Sequence, residues 1–213
     1  MRQRFHDRRE AGQLLGAHLR ERDLTDPIVL GLPRGGVVVA AEVAAVLGAP
    51  LDVILVRKLG VPFQPELAMG AVSEGGVRIL DEFLIRAARI NEAQLQLVEE
   101  RERRNLAEAA DRFRQGRSPL DLNGKTAILV DDGIATGATA HAAALVARTM
   151  GAARVVVAAP VASPEAVVRL REVADDVVVL SLPAQLLSIS QSYDDFAPTS
   201  DHEVVALLAE SGV

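Results

Sequence analysis

The chain has 213 residues and a net charge of −6, and it contains no cysteine and no tryptophan. A chain of this length buries about 70% of its unfolded surface, so a core can form without disulfides or a structural metal. The lack of cysteine excludes thiol nucleophiles and cysteine-ligated zinc. The hydrophobic fraction of 49% excludes general disorder, and the acidic balance argues against a dedicated nucleic-acid binder.

The sequence indicates neither export nor a membrane location. Residues 1–10 are too charged for a secretory signal peptide. Glu42 and Asp52 interrupt the most apolar stretch, which is therefore too short to span a bilayer. We expect a soluble, cytoplasmic protein with neither a membrane nor a nucleic acid as its partner.

Predicted helices alternate with short apolar strands along most of the chain. In order, the pattern predicts a helix over 8–22, a strand over 28–32, a helix over 37–47, strands over 53–56 and 126–130, a helix over 138–150, a strand over 155–159, a helix over 164–173 and a strand over 177–180. Continuously apolar strands that alternate with helices are typical of a parallel sheet covered on both faces. The expected fold class is α/β, a three-layer sandwich with a mostly parallel twisted sheet.

Two segments interrupt this alternation. Residues 62–117 are predicted to form a hairpin, pairing 67–73 with 77–80, and then one helix over 82–114. We interpret the charged run 99–104 on that helix as a solvated face with i,i+4 pairs. Long insertions in compact domains are often lids, so we expect residues 62–117 to move and to close over a ligand.

A buried strand that ends in two carboxylates is the strongest functional signal. Asp131 and Asp132 follow the predicted strand 126–130 at its carboxyl end, where open α/β sheets bind ligands. A small, hydroxyl-bearing loop then opens a helix, whose N-terminal amides and dipole favour a phosphate. Carboxylates beside a phosphate site suit a sugar phosphate. The alternative is an ordinary strand–loop–helix turn in which an aspartate caps the helix.

This segment resembles the phosphoribosyl pyrophosphate (PRPP) motif of type I phosphoribosyltransferases. In that family the two acids bind the ribose hydroxyls, and the loop holds the 5′-phosphate. The resemblance implies that Asp131 and Asp132 bind ribose. It implies that the phosphate is bound by Ala135, Thr136, Gly137, Ala138 and Thr139.

The loop after the first strand resembles the pyrophosphate loop of the same family. Its implied substrate-binding residues are Pro33, Gly35 and Gly36, because glycines allow the backbone to approach a ligand closely. Arg34 can bind phosphate oxygens bidentately. Family members often have a cis peptide at this place. Without the first motif, such a loop would be interpreted as a tight turn.

A third match is the pair Arg57 and Lys58, which we expect at the tip of the second strand. A similar pair lies near the pyrophosphate in adenine phosphoribosyltransferases. Two cations at that edge suit a diphosphate. The alternative is a solvated strand end without a binding role.

The resemblance implies one domain over residues 1–213, with a core over about 27–182 and the insertion 62–117. Residues 1–26 and 183–213 would form a small hood that binds the acceptor. Tyr193 and Phe196 in that tail either stack on the acceptor or anchor the tail to the core. Closely similar sequences are stand-alone bacterial members of unassigned substrate.

The implied function is transfer of 5-phosphoribosyl from PRPP to a nitrogenous acceptor, such as a nucleobase in nucleotide salvage, with release of pyrophosphate. The resemblance implies four catalytic residues, Arg34, Lys58, Asp131 and Asp132, and a homodimer is one assembly that it allows. Mg²⁺ would bind through the substrate, with water bridges to the two acids and no direct protein ligand. Glu74 is a candidate general base because it lies in the loop region.

Ala135 separates this chain from hypoxanthine–guanine enzymes, which carry an acid at that place. Its side chain cannot accept a hydrogen bond from a 6-oxopurine, so such bases should be poor acceptors. An alternative function is a non-catalytic regulator that binds PRPP or a nucleotide on the same fold. Regulators of this kind carry a DNA-binding segment or a basic face, and the acidic balance argues against either.

Overall fold

The structure is a computed structural model that describes residues 4–210. Residues 1–3 and 211–213, which include the beginning of the charged N-terminus and the end of the predicted hood, lie outside the described part, as does the side chain of Glu66. Among the residues described, no helix is both long enough and apolar enough to cross a membrane.

Eight strands and seven α-helices follow one another in the described part of the chain. The strands are β1 (Pro27–Gly31), β2 (Leu51–Val53), β3 (Val56–Val61), β4 (Gln64–Ser73), β5 (Arg78–Leu80), β6 (Thr126–Val130), β7 (Arg154–Val161) and β8 (Asp176–Ser181). The helices are α1 (Arg8–Arg20), α2 (Gly35–Leu47), α3 (Glu82–Ala87), α4 (Glu92–Arg114), α5 (Ala138–Thr149), α6 (Pro164–Leu170) and α7 (Asp201–Glu210).

Five parallel strands form the central sheet in the order β2-β1-β6-β7-β8. Because successive side chains of a strand point to opposite faces, the continuously apolar strands place apolar side chains on both faces of the sheet. Val29 and Ile128 pack on the face covered by α1, α2 and α7, while Leu30 and Leu129 pack on the face covered by α5 and α6. The predicted three-layer α/β sandwich is confirmed.

A small antiparallel sheet, β3-β4-β5, stands beside the central sheet and is formed by the segment 56–80, which is not part of the predicted hood. The predicted hairpin is confirmed, with Val72 opposite Arg78 across β4 and β5. The predicted strand over 53–56 is wrong. The chain leaves the central sheet after the Ile54 amide donates to the Gly31 carbonyl at 3.1 Å, and Val56 then pairs with Ser73 in the small sheet.

The single helix expected over 82–114 is two helices, α3 and α4. Arg89 between them has a φ of 55°, which a helix cannot accommodate. Asn91 begins α4 with a capping box: its side chain accepts from the Gln94 amide at 2.9 Å, and the Gln94 side chain accepts from the Asn91 amide at 3.0 Å. The break turns α4 so that it packs between the small sheet and α7.

Candidate functional site

A cleft of about 620 Å³ opens at the carboxyl edge of the central sheet. The segments that follow β1 and β2 form its floor, and β3, α4 and the first turns of α5 and α7 form its walls. Its polar lining consists of five cationic, three acidic and two uncharged side chains: Arg34, Arg57, Lys58, Arg101, Arg112, Glu102, Glu108, Asp201, Asn105 and Thr139. The cleft is therefore cationic within an acidic chain, which favours an anionic ligand.

The loop from Pro33 to Gly36 connects β1 to α2, and the peptide between Pro33 and Arg34 is cis. Gly36 lies so close to the end of β6 that a Cβ there would be 2.6 Å from the Val130 carbonyl oxygen. A Cβ at Gly35 would overlap the carboxylate of Asp132. Only glycines allow this approach, so the predicted pyrophosphate loop and the predicted ribose site form one surface.

Asp131 and Asp132 extend from the end of β6, as predicted, but both are partly buried. The Asp131 side chain accepts a hydrogen bond from the Asp132 amide at 2.9 Å. Arg8 of α1 donates to the Asp132 carboxylate at 2.7 Å, and the Tyr193 hydroxyl donates to the Asp132 carbonyl at 2.5 Å. Neither acid lies on an exposed loop tip, because α1 and the C-terminal segment cover Asp132.

The surroundings of Asp131 favour its protonated form. Burial and the adjacent charge of Asp132 raise the pKa of Asp131 to about 8, and the Asp132 amide and Arg8 offset only part of this rise. Burial and the charge of Asp132 also raise the pKa of Tyr193, so its hydroxyl remains a hydrogen-bond donor. Near neutral pH, Asp131 can therefore donate a hydrogen bond as well as accept one.

The predicted phosphate loop, residues 135–139, joins β6 to α5. Ala135, Thr136 and Thr139 are exposed, and Gly137 has a φ of 74° that turns the chain into the helix. The Ser163 hydroxyl donates to the Ala135 carbonyl at 2.6 Å, which fixes the loop against the beginning of α6. Thr139 lines the cleft, so the amino end of α5 faces the same space as Arg34.

Arg57 and Lys58 also line the cleft, as expected, although their place in the fold differs from the expectation. They lie on β3 of the small sheet, opposite Val72 and Ala71, and not at the tip of a parallel strand. The small sheet thus places two cations in the same cleft as Pro33 and Arg34.

The aromatic residues of the C-terminal segment anchor it to the core. Tyr193 is 1% exposed, with its ring 5.6 Å from that of Phe5, so it offers no surface for stacking on an acceptor. Phe196 packs against Tyr193. The guanidinium carbon of Arg8 lies over the Phe196 ring, 3.8 Å from the centroid of that ring. Of the two alternatives for this pair, the anchoring role is the one that the contacts support.

Glu74 does not line the cleft. Its carboxylate binds Arg114 at the end of α4, and Arg114 also donates to Asp52 at 2.8 Å and to the Val53 carbonyl at 2.9 Å. The candidate general base is therefore part of a buried ion-pair cluster that joins α4 to β2.

Several residues of the candidate site were not predicted from the sequence. One face of α4 lines the cleft with the side chains of Arg101, Asn105, Glu108 and Arg112. The charged surface of this helix is therefore not simply a solvated face. Their spacing of four, three and four residues was a readable signal of a common face. Arg8 and Asp201 carried no local signal, because their partners are distant in the chain.

Within residues 4–210, no three side chains of the metal-binding types come together. Asp131 and Asp132 lie against Gly35 and Gly36 of the loop 33–36, and the Asp132 carboxylate is already bound by Arg8. Two carboxylates fit a hard cation such as Mg²⁺ only as a partial set, with the remaining oxygens supplied by substrate and water.

Comparisons with known proteins agree with this geometry. A phosphoribosyl transferase domain model matches residues 4–186. Two Mycobacterium tuberculosis proteins, provisionally named phosphoribosyl transferases, are each 50% identical to the chain over 204 residues. The match covers 96% of this chain but 46% of each relative, so the chain spans less than half of their length.

A solved structure has the same fold over nearly the full chain. The crystal structure of TT1426 from Thermus thermophilus is 48% identical, with a TM-score of 0.92, and the match covers 97% of this chain and 98% of that one. The domain model spans most of the chain, and the mycobacterial relatives share half of the aligned residues. The chain therefore belongs to the phosphoribosyl transferase family.

Proposed function

We propose that the chain transfers the 5-phosphoribosyl group of PRPP to a nitrogen of a small acceptor. The C1′–O bond to diphosphate breaks, a C1′–N bond forms with inversion at C1′, and the acceptor nitrogen loses a proton. The observation that carries the proposal is the contact of Gly35 and Gly36 with Asp131 and Asp132, which unites a diphosphate loop and a ribose site.

The roles of the residues follow from where they lie. Thr136, Thr139 and the first amides of α5 would bind the 5′-phosphate. The carboxyls of Asp131 and Asp132 would accept hydrogen bonds from the ribose hydroxyls. Arg34 and Lys58 would stabilise the charge that develops on the leaving diphosphate, which is the largest electrostatic requirement of the reaction.

Mg²⁺ fits this site as a companion of the substrate. The ion would supply charge neutralisation on the diphosphate, held by diphosphate oxygens and by water that contacts Asp131 or Asp132. The chain's own part is to position the ribose and to exclude water from C1′. We also propose that residues 62–117 close over bound PRPP, and slower hydrogen exchange in this segment on PRPP addition would support that.

The acceptor would lie against α4. Tyr193 and Phe196 are engaged in anchoring contacts, whereas Glu102 and Asn105 line the open cleft and are joined by a hydrogen bond of 3.3 Å. A carboxylate and an amide can recognise the hydrogen-bond donors and acceptors of a heterocycle. In this placement α4, and not the C-terminal segment, would contact the acceptor.

The proposal is tested by titration calorimetry with PRPP and Mg²⁺. Asp131→Asn combined with Asp132→Asn should weaken PRPP binding at least about tenfold, because the ribose hydroxyls lose the charged carboxylate of Asp132 and a carboxyl oxygen of Asp131 as hydrogen-bond acceptors. Asp111→Asn, an exposed acid of α4, removes a charge elsewhere and should bind as the unmodified chain does.

Because Asp132 also binds Arg8, thermal melting of the double variant must accompany the titration. Unchanged affinity in a folded double variant would contradict the assigned ribose site.

A further inference from the structure

Asp201, the first residue of α7, lies between two arginines of the cleft. One carboxylate oxygen, Oδ2, is 3.0 Å from Nη1 of Arg112 on α4. The other, Oδ1, is 3.5 Å from Nη1 of Arg34 in the loop after β1. All three side chains line the cleft. A carboxylate of the protein itself therefore occupies the space between two guanidinium groups.

Helix capping does not explain this position. Ser200 caps α7, since its hydroxyl accepts from the Glu203 amide at 3.1 Å. Asp201 Oδ1 is buried but has no hydrogen-bond partner among the described residues. A buried polar atom without a partner is uncommon in folded proteins. The carboxylate is held by the charge of Arg34 and Arg112, and not by a complete set of hydrogen bonds.

We propose that Arg34 and Arg112 together bind the diphosphate group of the substrate and product, and that Asp201 is an internal competitor for this site. The inference rests on the proposed function, because Arg34 is there assigned to the diphosphate. It adds a diphosphate-binding residue on α4 and a carboxylate that leaves when the diphosphate arrives.

The exposure of the three side chains makes the exchange feasible. The Arg34 and Arg112 side chains are 52% and 50% exposed, and that of Asp201 is 35% exposed. Ion pairs this exposed contribute little to stability, so breaking them requires little free energy. A diphosphate carries more charge and more acceptor oxygens than a carboxylate, and arginine binds phosphate oxygens bidentately.

The arrangement has a consequence for turnover. While the cleft is empty, Asp201 balances the charge of the arginine pair. When diphosphate has been released from C1′, the same carboxylate competes with it for Arg34 and Arg112 and so favours product release. Removal of the Asp201 charge should therefore strengthen diphosphate binding and slow the release of the product.

The test is titration calorimetry with inorganic pyrophosphate and Mg²⁺. Asp201→Asn should bind pyrophosphate about two- to fivefold more tightly, because an exposed competing ion pair is lost. Arg112→Ala should bind about tenfold more weakly, because charge-assisted hydrogen bonds are lost. In the Arg112→Ala background, the gain from Asp201→Asn should shrink, which a purely structural role would not produce.

The matched control is Asp176→Asn. Asp176 forms an exposed ion pair with Arg22 at 2.6 Å, away from the cleft, so the substitution removes the same charge without changing the site. Its pyrophosphate affinity should equal that of the unmodified chain. Asp201→Ser is a second variant that keeps the Ser200 cap, and thermal melting reports whether each variant is folded.

The outcomes separate the two proposals. If the unmodified chain binds PRPP and pyrophosphate, but Asp201→Asn binds no more tightly than Asp176→Asn, the competitor role is wrong and the proposed function stands. Unchanged pyrophosphate affinity in Arg112→Ala would likewise overturn the two-arginine site. If the unmodified chain binds neither PRPP nor pyrophosphate, both proposals fail.

Discussion

Asp131 and Asp132 are single residues at which the proposed ribose site opposes the stability of the fold. Two acids follow one another at the end of a buried strand, and a Cβ on neighbouring Gly36 would lie 3.1 Å from the Asp131 carboxylate. Burial and the Asp132 charge raise the pKa of Asp131 to about 8. Strongly perturbed pKa values are concentrated at binding and catalytic sites.

We predict that Asp131→Asn stabilises the fold while weakening PRPP binding. The folded-state pKa of about 8 lies above the unfolded value of about 3.9. The folded protein therefore retains a proton that the unfolded chain releases, and it loses stability as the pH rises from about 4 to about 8. Asparagine does not titrate, so the advantage of the variant in melting temperature should grow across this window.

In a chain of this size 1 kcal/mol corresponds to about 2–4 °C, and we expect at least that gain at pH 8. Melting curves between pH 4 and pH 9 measure it, with Asp111→Asn as the control whose difference should stay flat. A difference for Asp131→Asn that does not change with pH would show that Asp131 is ionised throughout.

Site residues that belong to a local sequence motif could be predicted. Site residues that depend on contacts between distant parts of the chain could not. Asp131, Asp132 and Gly36 form recognisable local patterns next to apolar strands. Arg8 and Asp201 become site residues only because distant elements fold against each other. No pattern around either residue indicates its partner.

At the scale of elements, the segment between β2 and β6 shapes the cleft. The pair Gly75 and Gly76 made the turn before β5 predictable, because glycine readily adopts positive φ. In the structure their φ values are 77° and 85°. The apolar run over 53–56 hid the departure of the chain from the central sheet, because residues of both sheets are buried there. The residues Asn91 and Gln94 of the capping box indicate a break before α4. The prediction of one helix over 82–114 did not take this pattern into account.

The end of α4 is held by Arg114, and we predict that Arg114→Ala destabilises the whole fold. The Arg114 side chain is 9% exposed, and its partners Asp52 and Glu74 are 11% and 13% exposed. Removal of the guanidinium leaves two buried carboxylates without their partner, which should lower the free energy of unfolding by about 3–5 kcal/mol.

Denaturant unfolding measures this loss. Arg104→Ala on the same helix is the control, because Arg104 is exposed and its removal should change stability by about 0.5 kcal/mol or less. Similar stability of the two variants would mean that Arg114 does not hold α4 in place.

At the scale of the whole molecule, the fold concentrates positive charge where a diphosphate would bind. The chain carries a net charge of −6, yet five cationic side chains line one cleft at the carboxyl edge of its sheet. The α/β class and the chain order of the central elements could be predicted because the apolar strands β1, β6 and β7 are each followed directly by a helix. The wall formed by α4 could not, since its position depends on packing against α7 and β3.

Phosphoribosyl transfer at this cleft is measured directly as diphosphate release from PRPP and Mg²⁺ with adenine, hypoxanthine, guanine, orotate or uracil. Diphosphate should appear only when an acceptor is present, and Arg34→Ala should abolish it. Hypoxanthine and guanine should be poor acceptors, by factors of up to about 10⁴, because the side chain of Ala135 offers no hydrogen-bond acceptor. Guanine or hypoxanthine as the best acceptor would contradict the role of Ala135, and no PRPP-dependent release with any acceptor would contradict the claim itself.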